Sequence, residues 1–121
     1  MHYILTGWLV ASGWLVADSH VTLDKNQGKR VYSDRCKVCH GEDGDGKSFA
    51  SGVLNPPPKN FTSARELTEE RMIQSARNGR PGTAMMAWKD ILTEEEIRAV
   101  VHFIRLEFMA SKDGTRPTQK K

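Results

Sequence analysis

Cys36-Lys37-Val38-Cys39-His40 constrains this chain more than any other stretch. Two thiols three positions apart, with an imidazole directly after the second, form the attachment pattern of a c-type haem: each thiol adds across one vinyl group of the porphyrin, and the adjacent His40 is held against one face as an axial iron ligand. A chain that must wrap a ring fixed at three consecutive points has few folds open to it. A bare C-x-x-C also occurs as a structural zinc half-site or a redox dithiol. Zinc needs a second ligand pair, and no other Cys exists, while His2, His20 and His102 form no H-x(3 to 5)-H pair. A redox dithiol belongs at a helix N-terminus after a strand, and no strand-helix-strand pattern surrounds this one.

At 121 residues there is room for one domain. Between residues 3 and 17 every side chain is apolar or small except Thr6 and Ser12, a run that suits a signal-peptide core and is short for a membrane span. Cleavage is expected after Ser19, with Ala17 as the alternative. Against cleavage stand the absence of Lys or Arg before the run and the repeat of Gly7-Trp8-Leu9-Val10-Ala11 as Gly13-Trp14-Leu15-Val16-Ala17. An uncleaved anchor and a buried core helix are the competing readings. The expected division is a signal peptide or anchor at 1–19, one haem domain at 20–110, and a disordered basic tail at 111–121. Signal and anchor both place the domain across a membrane, exported and periplasmic. Removal of 1–19 leaves 18 basic against 14 acidic side chains, a formal +4. Two ionised propionates would lower this to about +2, too little for a nucleic-acid binder on charge grounds.

Asp24 can cap a first helix running to about Arg35, with Gln27 reaching back from the third position and Gly28, Val31, Tyr32 and Arg35 on its inner stripe. The stretch 41–47 is turn chemistry and reads as a solvated loop; its acids do not match the calcium-loop template at Lys47 and Leu54. Asn55-Pro56-Pro57-Pro58 is expected to be extended, its carbonyls free to accept from a haem-ligating His. A second helix spans 68–78 and stops at Gly79. Thr93 and Glu96 form a capping box for a last helix reaching about Met109, with Ile97, Val100, Val101, Ile104 and Phe108 on one stripe. No segment alternates long enough for a strand, so the fold is expected to be all-α.

The motif with Gly41 after it, an aromatic four residues before the first Cys, a Pro-rich stretch ending near a Phe, a later Gly-x-x-x-Met segment and a capped C-terminal helix together resemble the class I cytochromes c. The resemblance covers roughly 27–107. It implies a small cytochrome c fold of about 3 to 5 helices, in which a Gly of the first helix packs on an aromatic of the last; these map onto Gly28 and Phe103. It implies one haem c with its iron, bound by thioethers from Cys36 and Cys39, with His40 and Met85 as axial ligands. The family's Met-Pro-Ala-aromatic context here reads Met85-Met86-Ala87-Trp88, so Met86 stands as the competing ligand. Pro57, or a neighbouring proline, would accept from the proximal imidazole. Trp88 would cover a haem edge, bond a propionate, or simply pack in the core.

A His/Met pair leaves iron no open position, so one-electron exchange is the expected function. The partners would be redox proteins such as membrane complexes, dehydrogenases and terminal oxidases or reductases, with no nucleic acid and no small-molecule substrate. The alternatives are a haem-bearing subunit of a larger oxidoreductase, or a haem enzyme or gas sensor with a displaceable Met. Lys37, Lys47, Lys59, Arg80 and Lys89 would ring the exposed edge and steer an acidic partner, with Glu42, Asp43 and Asp45 close by as the opposing feature.

Overall fold

The computed structural model describes residues 24–110 together with Gly13. The leader and tail assigned to 1–19 and 111–121 lie outside the described residues, Gly13 apart. Among the described residues there is no strand, and no helix is long and apolar enough to cross a membrane. Four α-helices carry the fold: α1 (Lys25–Val31), α2 (Lys37–His40), α3 (Glu69–Asn78) and α4 (Glu94–Ile104).

Asp24 caps α1 as its side-chain chemistry dictates, accepting from the Asn26 amide at 2.9 Å. The reciprocal half of the expected box does not form: Gln27 turns its side chain inward and its Oε1 finds no partner. The first helix also does not run on as a regular α-helix to Arg35. A π-helical turn at Tyr32–Cys36, closed by the Lys37 amide on the Tyr32 carbonyl, inserts one extra residue before the motif. That insertion rotates Cys36 relative to the α1 stripe, which carries Gly28, Val31 and Tyr32 into the core and leaves Arg35 exposed.

α1 and α3 both pack against α4. Gly28 is where α1 touches it most closely. A Cβ there would overlap the Ala99 carbonyl and lie 2.8 Å from Phe103 Cβ, so only glycine lets the two backbones meet. The implied Gly28–Phe103 contact is therefore present. Tyr32, Phe103 and Phe108 extend it as an aromatic cluster with ring centroids 5.1 to 5.8 Å apart.

Thr93 and Glu96 complete the capping box at the start of α4. Ile97, Val100, Val101 and Ile104 are buried, and Phe108 follows on a π-helical turn at Arg105–Met109 that replaces the last regular turns expected of this helix. α3 is capped by Thr68 and buries Met72, Ile73 and Ala76. It ends at Gly79, whose φ of +69° belongs to the left-handed region. The polypeptide between α2 and α3 carries only a 3-10 turn at Ala50–Val53.

Candidate haem site

α2 and its neighbours converge on one apolar cavity of about 420 Å³, whose walls are drawn from the Cys36–His40 motif, the proline stretch, α3, the 80–88 loop and α4. Cys36, Cys39, His40, Pro57, Met85 and Trp88 all line it. So does Met86.

The imidazole is the best-defined group. His40 Nδ1 lies 3.0 Å from the Lys59 carbonyl oxygen. A carbonyl has lone pairs and no proton to give, so Nδ1 must be the donor, and the lone pair of the ring is left on Nε2, free for a metal. The acceptor expected of Pro57 is thus Lys59. The prolines supply wall surface, and the chain comes within reach of His40 only two residues beyond Pro57. Phe61 stacks on the imidazole with centroids 4.5 Å apart and planes 19° from parallel. Burial lowers the His40 pKa and so favours the neutral imidazole that a metal needs, against the bond to Lys59, which raises it.

The surroundings of the motif hold it at several points. The Tyr32 hydroxyl, buried and pushed above the ordinary phenol range by that burial, donates to the Gly41 carbonyl at 2.6 Å. The Gly46 amide donates to the His40 carbonyl at 2.8 Å, and the Phe61 amide to the Gly44 carbonyl at 2.8 Å. The 41–47 segment is therefore only partly the solvated loop expected: Gly41 and Gly44 are buried, and Gly44 lies directly under the Phe108 ring, where a side chain would clash.

The thiols do not have the electrostatics of a redox dithiol. Burial first, and Cys39 second, push Cys36 up to about 12, whereas an attacking dithiol depends on a lowered value. Among the described residues no three of His, Cys, Asp and Glu gather as a zinc set would.

Across the cavity the 80–88 loop is positioned through its backbone. The Arg80 amide donates to the Met85 carbonyl, the Met85 amide to Thr83 Oγ1, and the Trp88 and Lys89 amides to the Ala76 and Arg77 carbonyls at the end of α3. Met85 is half-buried, while Met86 is 49% exposed. Trp88 packs against the core and lies under the Arg35 guanidinium, 5.9 Å from the ring centroid. Sequence reasoning gave Lys59 only a steering charge and Phe61 only a place at the end of the proline stretch, and assigned neither a part in holding His40. The available signal was Asn60 with Thr62, whose amide and hydroxyl both donate to Asn60 Oδ1 in a side-chain turn that fixes the chain around Phe61.

Two of the expected steering cations are paired within the chain, Lys37 with Glu42 at 3.1 Å and Lys59 with Glu66 at 2.8 Å. The expected ring is partly neutralised.

A flat, mostly apolar ring with two vinyl groups fits these walls: two cysteines, one histidine whose Nε2 lone pair is left unused, and the methionines Met72, Met85 and Met86 line one apolar cavity. The comparisons with known proteins agree. Residues 24–104 match the family model described as cytochrome c oxidase, cbb3-type, subunit III. The chain is 30% identical over 80 residues to the cbb3-type cytochrome c oxidase subunit CcoP of Azospirillum sp. (strain B510), covering 64% of this chain and 27% of that protein. It is 44% identical over 34 residues to thiosulfate dehydrogenase of Stutzerimonas stutzeri (strain A1501), covering 28% of this chain and 11% of the relative. The chain thus spans about a quarter or less of the curated relatives it matches. Among solved structures it is similar to the KustC0563 c-type cytochrome, at 33% identity and a TM-score of 0.55 over 64% of this chain and 93% of that one. It is also similar to the Kuenenia stuttgartiensis reducing HAO-like protein complex Kustc0457/Kustc0458, at 30% identity and a TM-score of 0.63 over 78% of this chain and 47% of that one. The cofactor is haem c, the resemblances are consistent with electron transfer, and the chain belongs to the cytochrome c oxidase, cbb3-type, subunit III family, as a class I-like monohaem cytochrome c domain.

Proposed function

We propose that the chain is an exported one-electron carrier whose haem is bound by Cys36 and Cys39 and ligated by His40 and Met85. The observation that carries this reading is the convergence of both thiols, the free Nε2 of His40 and the Met85 side chain on one apolar cavity. When bound, the haem supplies an Fe(III)/Fe(II) couple. The chain's part is to fix the proximal imidazole through Lys59 and Phe61, to offer a neutral thioether from Met85, and to exclude water with an apolar wall; neutral ligands and low polarity favour Fe(II) and raise the potential. His40 is the sole imidazole among the lining residues, and they include no carboxylate, which supports electron exchange over peroxide chemistry.

The domain is read as 20–110, following an export or anchor segment at 1–19, with 111–121 as a tail. The place of service is the periplasm, and the partners are other redox proteins. The second reading, a subunit of a larger oxidoreductase, is favoured by the matches to CcoP and to a chain of the HAO-like complex. Intact mass and absorption of the exported protein after acid-acetone extraction test the attachment. One haem of added mass that stays with the polypeptide, and is absent from a variant with both Cys36→Ala and Cys39→Ala, is the expected result; haem that extracts freely from the wild type overturns it.

A further inference from the structure

Among the described residues no hydrogen bond, ion pair or ring-on-ring contact joins the motif side of the cavity, residues 32–41, to the methionine loop at 80–88. One directed contact does cross between them: the Arg35 guanidinium stands over the Trp88 ring, 5.9 Å from its centroid. Both residues line the haem cavity. Arg35 has no carboxylate partner among the described residues, although Asp34 is its neighbour in the chain. Of the loop's side chains, Trp88 is the one packed against the core.

The course of the chain brings Arg35 there. On an unbroken helix Arg35, seven residues after Gly28, would share the face that meets Ala99 and Phe103 of α4. The π-helical turn at Tyr32–Cys36 adds one residue, which carries its end about 100° round the axis. Such turns are rare, and this one sets a cation at the wall of the cofactor cavity where a regular helix would have turned it into the core. The carboxylates of a haem stand on the pyrroles away from its vinyl groups. With Cys36 taking a vinyl, the residue next to it is placed for the indole and not for a propionate.

We propose that Arg35 over Trp88 is a clasp between the two walls of the haem cavity, and that it slows the opening of the methionine loop and with it the exchange of the sixth iron ligand. The inference rests on the ligation by Met85 proposed above. The loop's backbone bonds run to its own residues and to the end of α3, so they fix it to one wall only. A movement that withdraws the loop lifts the indole out of the core and from under the guanidinium. Arg35 is thus a positioning residue, acting on the iron through Trp88 and Met85.

The test measures the entry of imidazole at the oxidised iron of the haem-loaded wild type, Arg35→Gln, Trp88→Leu and the double variant. At high imidazole the rate levels off at the rate of loop opening, independent of how tightly imidazole binds. Arg35→Gln should raise that plateau about two- to tenfold, the factor that corresponds to a cation over a half-buried indole. Trp88→Leu should raise it at least as much, and adding Arg35→Gln to it should change nothing further. An unchanged plateau in Arg35→Gln, or an equal acceleration by Arg35→Gln with and without the indole, overturns the clasp and leaves the Met85 ligation standing. Should Trp88→Leu fail to load haem, Trp88→Phe takes its place: its weaker ring should shrink the effect of Arg35→Gln, and an undiminished effect overturns the clasp. A wild type whose rate keeps rising in proportion to imidazole has no thioether to displace, and the Met85 ligation and the clasp then fall together.

Discussion

The two walls of the haem cavity are built differently. On the His40 side the proposed ligand is held by its own side chain: Nδ1 donates to Lys59, Phe61 lies flat on the ring, and the motif around it is tied by Tyr32, Gly46 and Ser48. On the Met85 side the bonds all belong to the backbone and to Thr83, and two adjacent thioethers line the same cavity. A flexible thioether keeps several rotamers open, so the backbone fixes where the methionines start and not which sulfur arrives. One wall specifies a ligand and the other specifies a segment.

The largest effect should follow from loosening the specified wall. Phe61→Ala removes a buried ring from between His40 and the core and should cost about 3 to 5 kcal/mol of stability. Denaturant unfolding of the haem-loaded protein measures it. A loss below 1 kcal/mol would show that His40 needs no such support, and the contrast between the walls would vanish.

Next comes the backbone of the other wall. A Cβ at Gly79 would lie 2.8 Å from both the Met85 carbonyl and the Ala87 amide nitrogen, at a positive φ. Gly79→Ala should therefore cost about 1 to 3 kcal/mol and displace the loop, with carbon monoxide gaining access to the reduced iron. Stability lost without any gain in carbon monoxide binding would mean that loop position does not govern ligation.

The smallest effect is electrostatic. Arg77 makes two bonds to the Glu94 carboxylate, linking the end of α3 to the start of α4 behind the methionine loop. The guanidinium holds that carboxyl below its usual range. Its contribution is therefore complete above the ordinary carboxylate pKa and is lost as pH falls through the lowered folded-state value. Both groups are solvent-facing, so Glu94→Gln should shift the melting temperature slightly at pH 7 and not at all in acid. A shift that grows on acidification would reverse the sign and sink the linkage.

How much of this was legible depends on whether local chemistry or tertiary distance decides. The Thr93–Glu96 box and the stop at Gly79 are local, and the residues named them correctly, while Thr68, read as the first helical residue, is the cap one position before the helix. Gly28 became legible only through the resemblance, since its need is the close approach of Ala99 and Phe103 from the far end of the chain. The π-helical turn at Tyr32–Cys36 left no mark in the side-chain pattern, because its cause is the backbone bond from Lys37 to Tyr32. The proximal acceptor was placed two residues early. Any carbonyl past the prolines qualifies chemically, and what selects Lys59 is the Asn60 side-chain turn together with the Phe61 amide bonded to Gly44. The lysine pairs were half legible for a related reason: Glu42 was named in the sequence as the opposing charge near Lys37, while Glu66 reaches Lys59 only in space.

The near-infrared spectrum of the oxidised protein tests the account most directly, because its sulfur-to-iron band reports the thioether bond itself. Wild type should show the band, Met86→Ala should keep it, and Met85→Ala should lose it, bind carbon monoxide when reduced, and fall in potential. A wild type without the band, or a band that survives Met85→Ala and disappears in Met86→Ala, would contradict the assignment of His40 and Met85 as the pair that holds the iron.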